Sequence, residues 1–487
     1  MFVSDVYRKL MNDPVWGREC ELIANIPHSI GACPAVVGGA VRDLLMDRKI
    51  KDLDIATSRP ETARDLALEF ANVTRRRLVE YTHEQAIYRV VAKDDPQVDF
   101  TDPVGGGRES DLVRRDFTCN ALALDLTGDT KGELIDPTRG QIDIEKKIVR
   151  MTSPAVFIDD PLRLLRAFRF ASQLGFKIDD LTLKAIIENA NRLRETAGER
   201  VQLELCDIFG SGNLRRLIES MDKSGVLHVL FPELSWQKGM DQNDYHHLDV
   251  WGHTLEVVDQ VERIFKLKEQ ILVPYRDKIR EYLDFTYPSG HSRLSLIKLA
   301  ALLHDIAKPH CRDVKEDGRI TFIGHERKGA ELVREHMTRL KFAAYERDFV
   351  GTIIEGHLRP MLLTNEEAEK PRMAYRFFRD FGDAALAIIL VSLADRYSAQ
   401  GVKITSDHNE RHVKTMAYFL DCLFNKTSVI VRPPQLLDGA TLMHEFGLEP
   451  GPIIGHLLRR VQEAQVMNEV TTRDDALEFC RKIISSN

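Results

Sequence analysis

The hydrophobic pattern of this chain changes character once, after Ile148, and that change constrains its fold more than any other feature. Before it, short apolar runs of strand length alternate with helix-like segments. Ala35-Val36-Val37 is followed by helix-like Val41–Met46, a strand around Leu53–Thr57, a helix opened by Pro60, and strand-like Ala86–Ala92 and Val98–Phe100. Residues 5–28 read as an amphipathic helical lead-in. From Asp160 onward the pattern is nearly all helical, with periodic Leu, Ala and Arg. The expected architecture is an α/β head, a mixed sheet with helices, followed by a long all-α part. Pro232 and Pro433-Pro434 fall where helical segments end and mark expected subdomain boundaries.

Chemistry-bearing residues gather first behind a glycine turn, Val37-Gly38-Gly39-Ala40-Val41-Arg42-Asp43. Glycines between a strand and a helix let backbone N–H groups approach a phosphate, and a helix start favours negative charge. Asp52 and Asp54 follow. On a strand, i and i+2 face one side, and two such carboxylates repel unless a cation joins them. Hard oxygen ligands suit Mg²⁺ held jointly with substrate phosphates. Asp99, in strand-like Gln97–Phe100, is a third acid able to complete the set. Arg114-Arg115-Asp116-Phe117-Thr118-Cys119-Asn120 places guanidinium groups, which bind phosphate bidentately, beside an acid and an amide. In Asp160–Phe170, Arg163, Arg166 and Arg169 recur every three residues along one helix stripe, with Asp160 expected at the helix start beside Arg163. A carboxylate and a guanidinium so placed can read a nucleobase edge. The bland alternatives are a tight turn, a solvated edge strand and a salt-bridged helix face. The run Arg75-Arg76-Arg77 reads as a solvated face.

These stretches, in this order, together with Asp136-Pro137, Glu199-Arg200-Val201 and Gly439–Arg459, resemble the bacterial class of tRNA nucleotidyltransferases that build the 3′-terminal CCA, and their relatives the poly(A) polymerases. The resemblance implies Mg²⁺ at Asp52 and Asp54, which with Asp99 form the catalytic acids. It implies Gly39 and Arg42 on the triphosphate, with Gly38 and Asp43 in the same nucleotide-binding turn. It implies Arg115, Asp116 and Asn120 on sugar and phosphates, and Asp160 and Arg163, backed by Arg166, as an amino-acid template for the base. The implied substrates are CTP and ATP, and the implied partner is the acceptor arm and 3′ end of tRNA. Members that finish the CCA end carry a longer flexible loop where this chain has a short, Gly-rich stretch between Asp99 and Arg114. That stretch is typical of members adding only CC, so CC-only or A-only addition stands as the alternative, then a poly(A) polymerase.

A second set of residues lies in the helical part. It comprises His253, the pair His304-Asp305, His325, His357 and Asp395, each near a Gly, an acid or the end of an apolar segment. A buried Asp305 or Asp395 needs a partner or a cation, and imidazole with carboxylate suits a divalent transition metal. The pattern resembles the HD phosphohydrolase superfamily. That resemblance implies His253, His304, Asp305 and Asp395 as metal ligands, with His325 and His357 as further ligands or phosphate contacts. His246 and His247 read as loop residues. A rival reading is an HD phosphohydrolase whose head only senses nucleotides. The implied division is a helical segment 1–30, a head 31–140, a neck 141–215, an HD domain 216–430 and a helical tail 431–487.

Composition excludes several classes. With 487 residues, 43% apolar and 29% charged, the chain can bury sizeable cores and reads as soluble and globular. A net charge of −7 excludes a uniformly basic nucleic-acid coat, though not local patches. No apolar run is long enough to cross a bilayer, and Met1–Asp5 lacks the marks of a signal peptide. Seven cysteines without a C-x-x-C pair fit a reducing compartment, the cytoplasm. The pattern does not address oligomeric state.

Overall fold

The computed structural model describes residues 4–26, 31–82, 86–92, 96–363 and 370–485; residues 1–3 and 27–30 of the expected helical segment 1–30 lie outside them. The chain forms two compact units, one of residues 1–204 with 220–229, the other of 205–219 with 230–487. The residues expected as head, and as neck up to 204, lie in the first. Those expected as HD domain and tail, from 230, lie in the second.

In the first unit the helical lead-in is two helices, α1 (Asp5–Met11) and α2 (Trp16–Asn25). Asp13 accepts the N–H groups of Val15 and Trp16, both at 2.9 Å, and so caps a new start. Next come β1 (Ala35–Val37), α3 (Gly39–Leu45), β2 (Leu53–Ala56), α4 (Ala63–Thr74), β3 (Arg77–Thr82), β4 (Ala86–Val91), β5 (Val98–Thr101), α5 (Arg108–Val113), β6 (Ala123–Asp125) and β7 (Leu134–Ile135). Pro60 precedes α4 instead of opening it. The orphan N–H groups of Thr62 and Ala63 are taken by Asp102 Oδ1 at 3.0 and 2.9 Å.

The strands form one sheet in the order β3-β4-β5-β2-β1-β6-β7, with β2 and β5 parallel and the other pairs antiparallel. Alternation decides which face carries chemistry. Leu53, Ile55, Val98 and Phe100 are buried, and Phe100 meets Phe70 of α4 at 5.5 Å between ring centres. Asp54 and Asp99, at the alternate positions, face the other way. In the run Arg75-Arg76-Arg77, the outer two residues are exposed as expected of a solvated face, but Arg76 turns inward and grips both carboxylate oxygens of Glu19 at 2.8 and 2.9 Å. Further along, α6 (Arg163–Leu174) buries Leu164, Leu165, Phe168 and Ala171, leaving the arginine stripe on its other side.

In the second unit, α7 (Val250–Ile264), α8 (Arg293–Leu303), α9 (His325–Arg339), α10 (Ala344–Gly356), α11 (Ala385–Ser398) and α12 (Ser406–Asn425) pack around a common core. Helices α8 and α11 are buried nearly all round, as their predominantly apolar sequence requires. The tail helices α13 (Gly439–Phe446), α14 (Pro452–Val466) and α15 (Arg473–Ser485) close a separate small core of Leu442, Leu457, Val461, Ala476 and Cys480.

Candidate active sites

In the first unit, register builds the site. Asp54 on β2 stands beside Asp99 on β5, and Asp99 stands opposite Arg89 on β4, so the three side chains form a row across one sheet face. Arg89 holds both oxygens of Asp99 at 2.7 Å. Asp99, expected as a free third acid, is therefore already compensated, by a residue the sequence did not single out. Asp52, exposed just before β2, and Asp54 carry charge without such a clamp. Burial, with Asp99 and then Asp52 adding repulsion and Arg115 opposing, pushes the Asp54 carboxyl up to about 6. Two crowded hard oxygen donors fit a Mg²⁺ position.

Gly38 places a cation against Asp54. Its φ is +73°, and a Cβ there would lie 2.9 Å from Nη1 of Arg115, whose Nη2 is 3.2 Å from Asp111 Oδ2. A side chain at 38 would expel that guanidinium. A relay continues from there. Arg42 Nη1 donates to Asn120 Oδ1 (2.6 Å), and Asn120 donates to Asp116 Oδ1 (3.1 Å). Asp116 Oδ2 accepts from Arg166 (2.8 Å). Burial works against the Asp116 carboxylate, but Arg166, Asn120 and the Phe117 N–H hold it below the usual range. Asp43 turns back onto Arg42 at 2.9 Å, so it orients that guanidinium. Phe170, to which the sequence assigns no role, has its ring flanked by the guanidinium carbons of Arg42, Arg166 and Arg169 at 5.4, 5.3 and 4.2 Å.

Asp160 and Arg163 are not helical neighbours. Asp160 does lie at the helix start, its Oδ1 accepting the Leu162 N–H at 3.2 Å, but it is extended (φ −146°, ψ 100°), so helical spacing does not orient it. Its oxygens are held by Arg200 at 3.2 and 2.8 Å, whereas Arg163 donates to the carbonyls of Arg114 (3.2 Å) and Val156 (3.4 Å).

In the second unit, His253 on α7, His304-Asp305 after α8, His325 on α9, His357 after α10 and Asp395 on α11 converge, all at most 5% exposed. Asp305 is the hub. Its Oδ2 lies 3.0 Å from His304 Nε2 and 3.7 Å from His253 Nε2, while Oδ1 lies 3.2 Å from His325 Nε2 and 3.9 Å from His357 Nε2. Asp395 approaches His253 Nε2 at 3.0 Å. The histidines of residues 304, 325 and 357 each set Nδ1 on the carbonyl three residues earlier, at 2.8, 2.7 and 2.6 Å. A carbonyl only accepts, so Nδ1 carries the hydrogen and Nε2 turns a lone pair inward. Burial, then His304 and His325, push His357 down to about 3, keeping it neutral. His253 Nε2, His304 Nε2, His325 Nε2 and both Asp305 oxygens are buried without an aligned hydrogen bond. That is the donor set a divalent transition metal satisfies.

His246 does lie in a loop, as expected, but it belongs to this cluster. Its ring centre is 4.7 Å from that of His253, and its ligand atom lies within 4.8 Å of those of His253 and Asp395. Gly401 sets that approach. Its N–H donates to Tyr245 O at 2.9 Å, and a Cβ at 401 would fall 2.3 to 2.5 Å from the backbone of 244–246. No local sequence signal announces this, because the loop and its glycine are far apart in the chain.

Comparison with known proteins follows the same division. Residues 35–150 match "Poly A polymerase head domain", 175–237 "Probable RNA and SrmB- binding site of polymerase A", and 250–400 "HD domain". A Deinococcus radiodurans protein named A-adding tRNA nucleotidyltransferase is 33% identical, covering 92% of this chain and 95% of its own. A CC-adding tRNA nucleotidyltransferase of Thermus thermophilus is 30% identical, covering 91% and 92%. The fold is also that of a Thermotoga maritima CCA-adding enzyme solved with tRNA, with a TM-score of 0.64 and 20% identity over 99% of this chain and 100% of that one. No helix among the described residues is long and apolar enough to cross a membrane.

Proposed function

The chain belongs to the tRNA nucleotidyltransferase family, and from that premise we propose that its head adds C, and then A, to the 3′ end of tRNA from CTP and ATP without a nucleic-acid template. The observation that carries this is the arrangement of Asp54, Gly38 and Arg115 next to the relay from Arg42 through Asn120 and Asp116 to Arg166. Mg²⁺ at Asp52 and Asp54, when bound, lowers the pKa of an attacking 3′-hydroxyl and neutralises a triphosphate. Arg42 and Arg115 take phosphate oxygens, and Asp116 with Asn120 keeps Arg42 in place for an in-line attack. Asp160 and Arg163 are assigned to base selection. Each is held by groups that a base edge can replace, Arg200 for one and backbone carbonyls for the other.

The test is extension of tRNA lacking CCA with Mg²⁺ and CTP, ATP or both, with products sequenced. CTP alone should give CC, and both should give CCA. Growth by A alone on the bare end contradicts this reading. A second reading, addition of only part of CCA, is favoured by the segment between β5 and α5. It is only residues 102–107 long, and Ser110 Oγ lies 3.0 and 2.7 Å from the carbonyls of Gly105 and Gly107. Products that stop at CC, or A added only to tRNA already ending in CC, establish that version.

For the second unit we propose metal-dependent hydrolysis of a phosphate ester. His253, His304, Asp305 and Asp395 hold a divalent metal, with His325 and His357 as further ligands. Retention of a transition metal by the wild type and its loss in His304→Ala tests this.

A further inference from the structure

A cavity of about 920 Å³ opens beside the histidine cluster, lined among others by Tyr245, His246, His357, Asp395 and Arg396. Four cationic side chains border it. Lys308 is bound to Asp305 at 2.7 Å, Lys403 to Asp244 at 2.7 Å, and exposed Arg319 approaches Asp317 at 4.0 Å. Among the described residues Arg396 has no such partner. It is 5% exposed, and its Nε and Nη2 are buried without a hydrogen bond.

A buried guanidinium with unmade bonds is costly, and native structures supply a counter-charge. Around Arg396 the described residues offer no ion pair, and the nearby charge of Asp395 acts on it only through space. Ser392, one turn earlier on α11, presents a buried Oγ without a partner. His412, on the adjoining α12, is held neutral by burial and then by Arg396, its pKa down to about 4. Both neighbours are uncharged donors or acceptors. Asp395, next in sequence, turns its carboxylate to His253. At this point of the cavity wall, therefore, guanidinium donors stand that no described side chain takes up.

We propose that Arg396 is the anion-binding residue of this pocket, taking the phosphoryl oxygens of a phosphate ester presented beside the His304–Asp305 cluster. The planar fork of arginine suits that group, which can accept two parallel N–H bonds. Successive residues on a helix point roughly 100° apart. Asp395 and Arg396 thus let one turn of α11 address a metal position and its substrate together. The proposal rests on reading the second unit as a metal-dependent phosphohydrolase.

The experiment uses the full chain in an Asp54→Ala background, so that the head is not loaded, equilibrated with Mn²⁺. Inorganic phosphate binding is measured by calorimetry, and bound manganese by elemental analysis. Arg396→Gln should bind phosphate at least tenfold more weakly while retaining its manganese, with Arg396→Lys intermediate. Phosphate affinity unchanged in Arg396→Gln, or no phosphate binding by the parent, overturns the assignment. Should Arg396→Gln not fold, Arg396→Lys decides: weaker phosphate binding supports the assignment and equal binding overturns it. Failure of the parent to take up manganese is separate, because it sinks the phosphohydrolase reading rather than the role of Arg396 as an anion site.

Discussion

Asp54 and Asp99 stand side by side, in register on parallel strands, yet Arg89 clamps both oxygens of Asp99 and leaves Asp54 without such a clamp. Two acids that look equivalent in the sequence thus take different parts. Asp54 is available to a cation, while Asp99 is tied to Arg89 and still repels its neighbour.

The two units should therefore separate genetically. Asp54→Ala should slow nucleotide addition at least about a thousandfold, the upper range for losing one preorganised charged group. It should leave thermal stability unchanged or raised, because repulsion is relieved. His304→Ala should spare nucleotide addition and abolish metal-dependent phosphate ester hydrolysis. Primer-extension rates and a chromogenic phosphate ester assay read both. If His304→Ala alone stopped nucleotide addition, the division of labour would be wrong.

The buried pair Glu19–Arg76 yields a stability prediction. Arg76→Met leaves a buried carboxylate unpaired and should cost about 3–5 kcal/mol. Glu19→Leu with Arg76→Met together should recover most of that loss. Urea unfolding of the two single variants and the double variant checks it, and additive losses would rule out the coupling.

Asp116 predicts an acid limit. Its folded pKa is depressed, so its contribution is present above the unfolded carboxylate value of about 3.9 and fades as pH falls through the lower folded value. Asp116→Asn should melt well below the wild type at pH 7, and the gap should narrow only in strong acid. Melting curves from pH 7 to 3 test the sign, and a gap that widens toward acid would refute it.

Gly401→Ala should disturb the histidine pocket from outside it. The new Cβ meets the backbone of 244–246 at 2.3 to 2.5 Å and must push His246 away. We expect about 1–3 kcal/mol of destabilisation from overpacking and about tenfold weaker metal retention, typical when ligand support is lost. Chelator competition measures the latter, and unchanged retention would remove His246 from the cluster's support.

Much of the molecule was legible before folding was considered. The change of period after Ile148 separates a sheet-containing head from a helical remainder, because period 2 and period 3.6 are local properties of the chain. The glycine turn, the Asp52/Asp54 spacing, the arginine stripe on α6 and the six-residue His/Asp set were legible for the same reason. What stayed hidden are partners far apart in sequence: Arg89 for Asp99, Arg200 for Asp160, Arg76 for Glu19, Gly401 beneath His246, and, among the described residues, the absence of an ion-pair partner for Arg396. Strand register and helix packing choose those neighbours, and both depend on the whole core closing at once. Residue types and spacing determined which chemistries the chain can carry; only the tertiary structure decided which charges are neutralised and which remain free to bind.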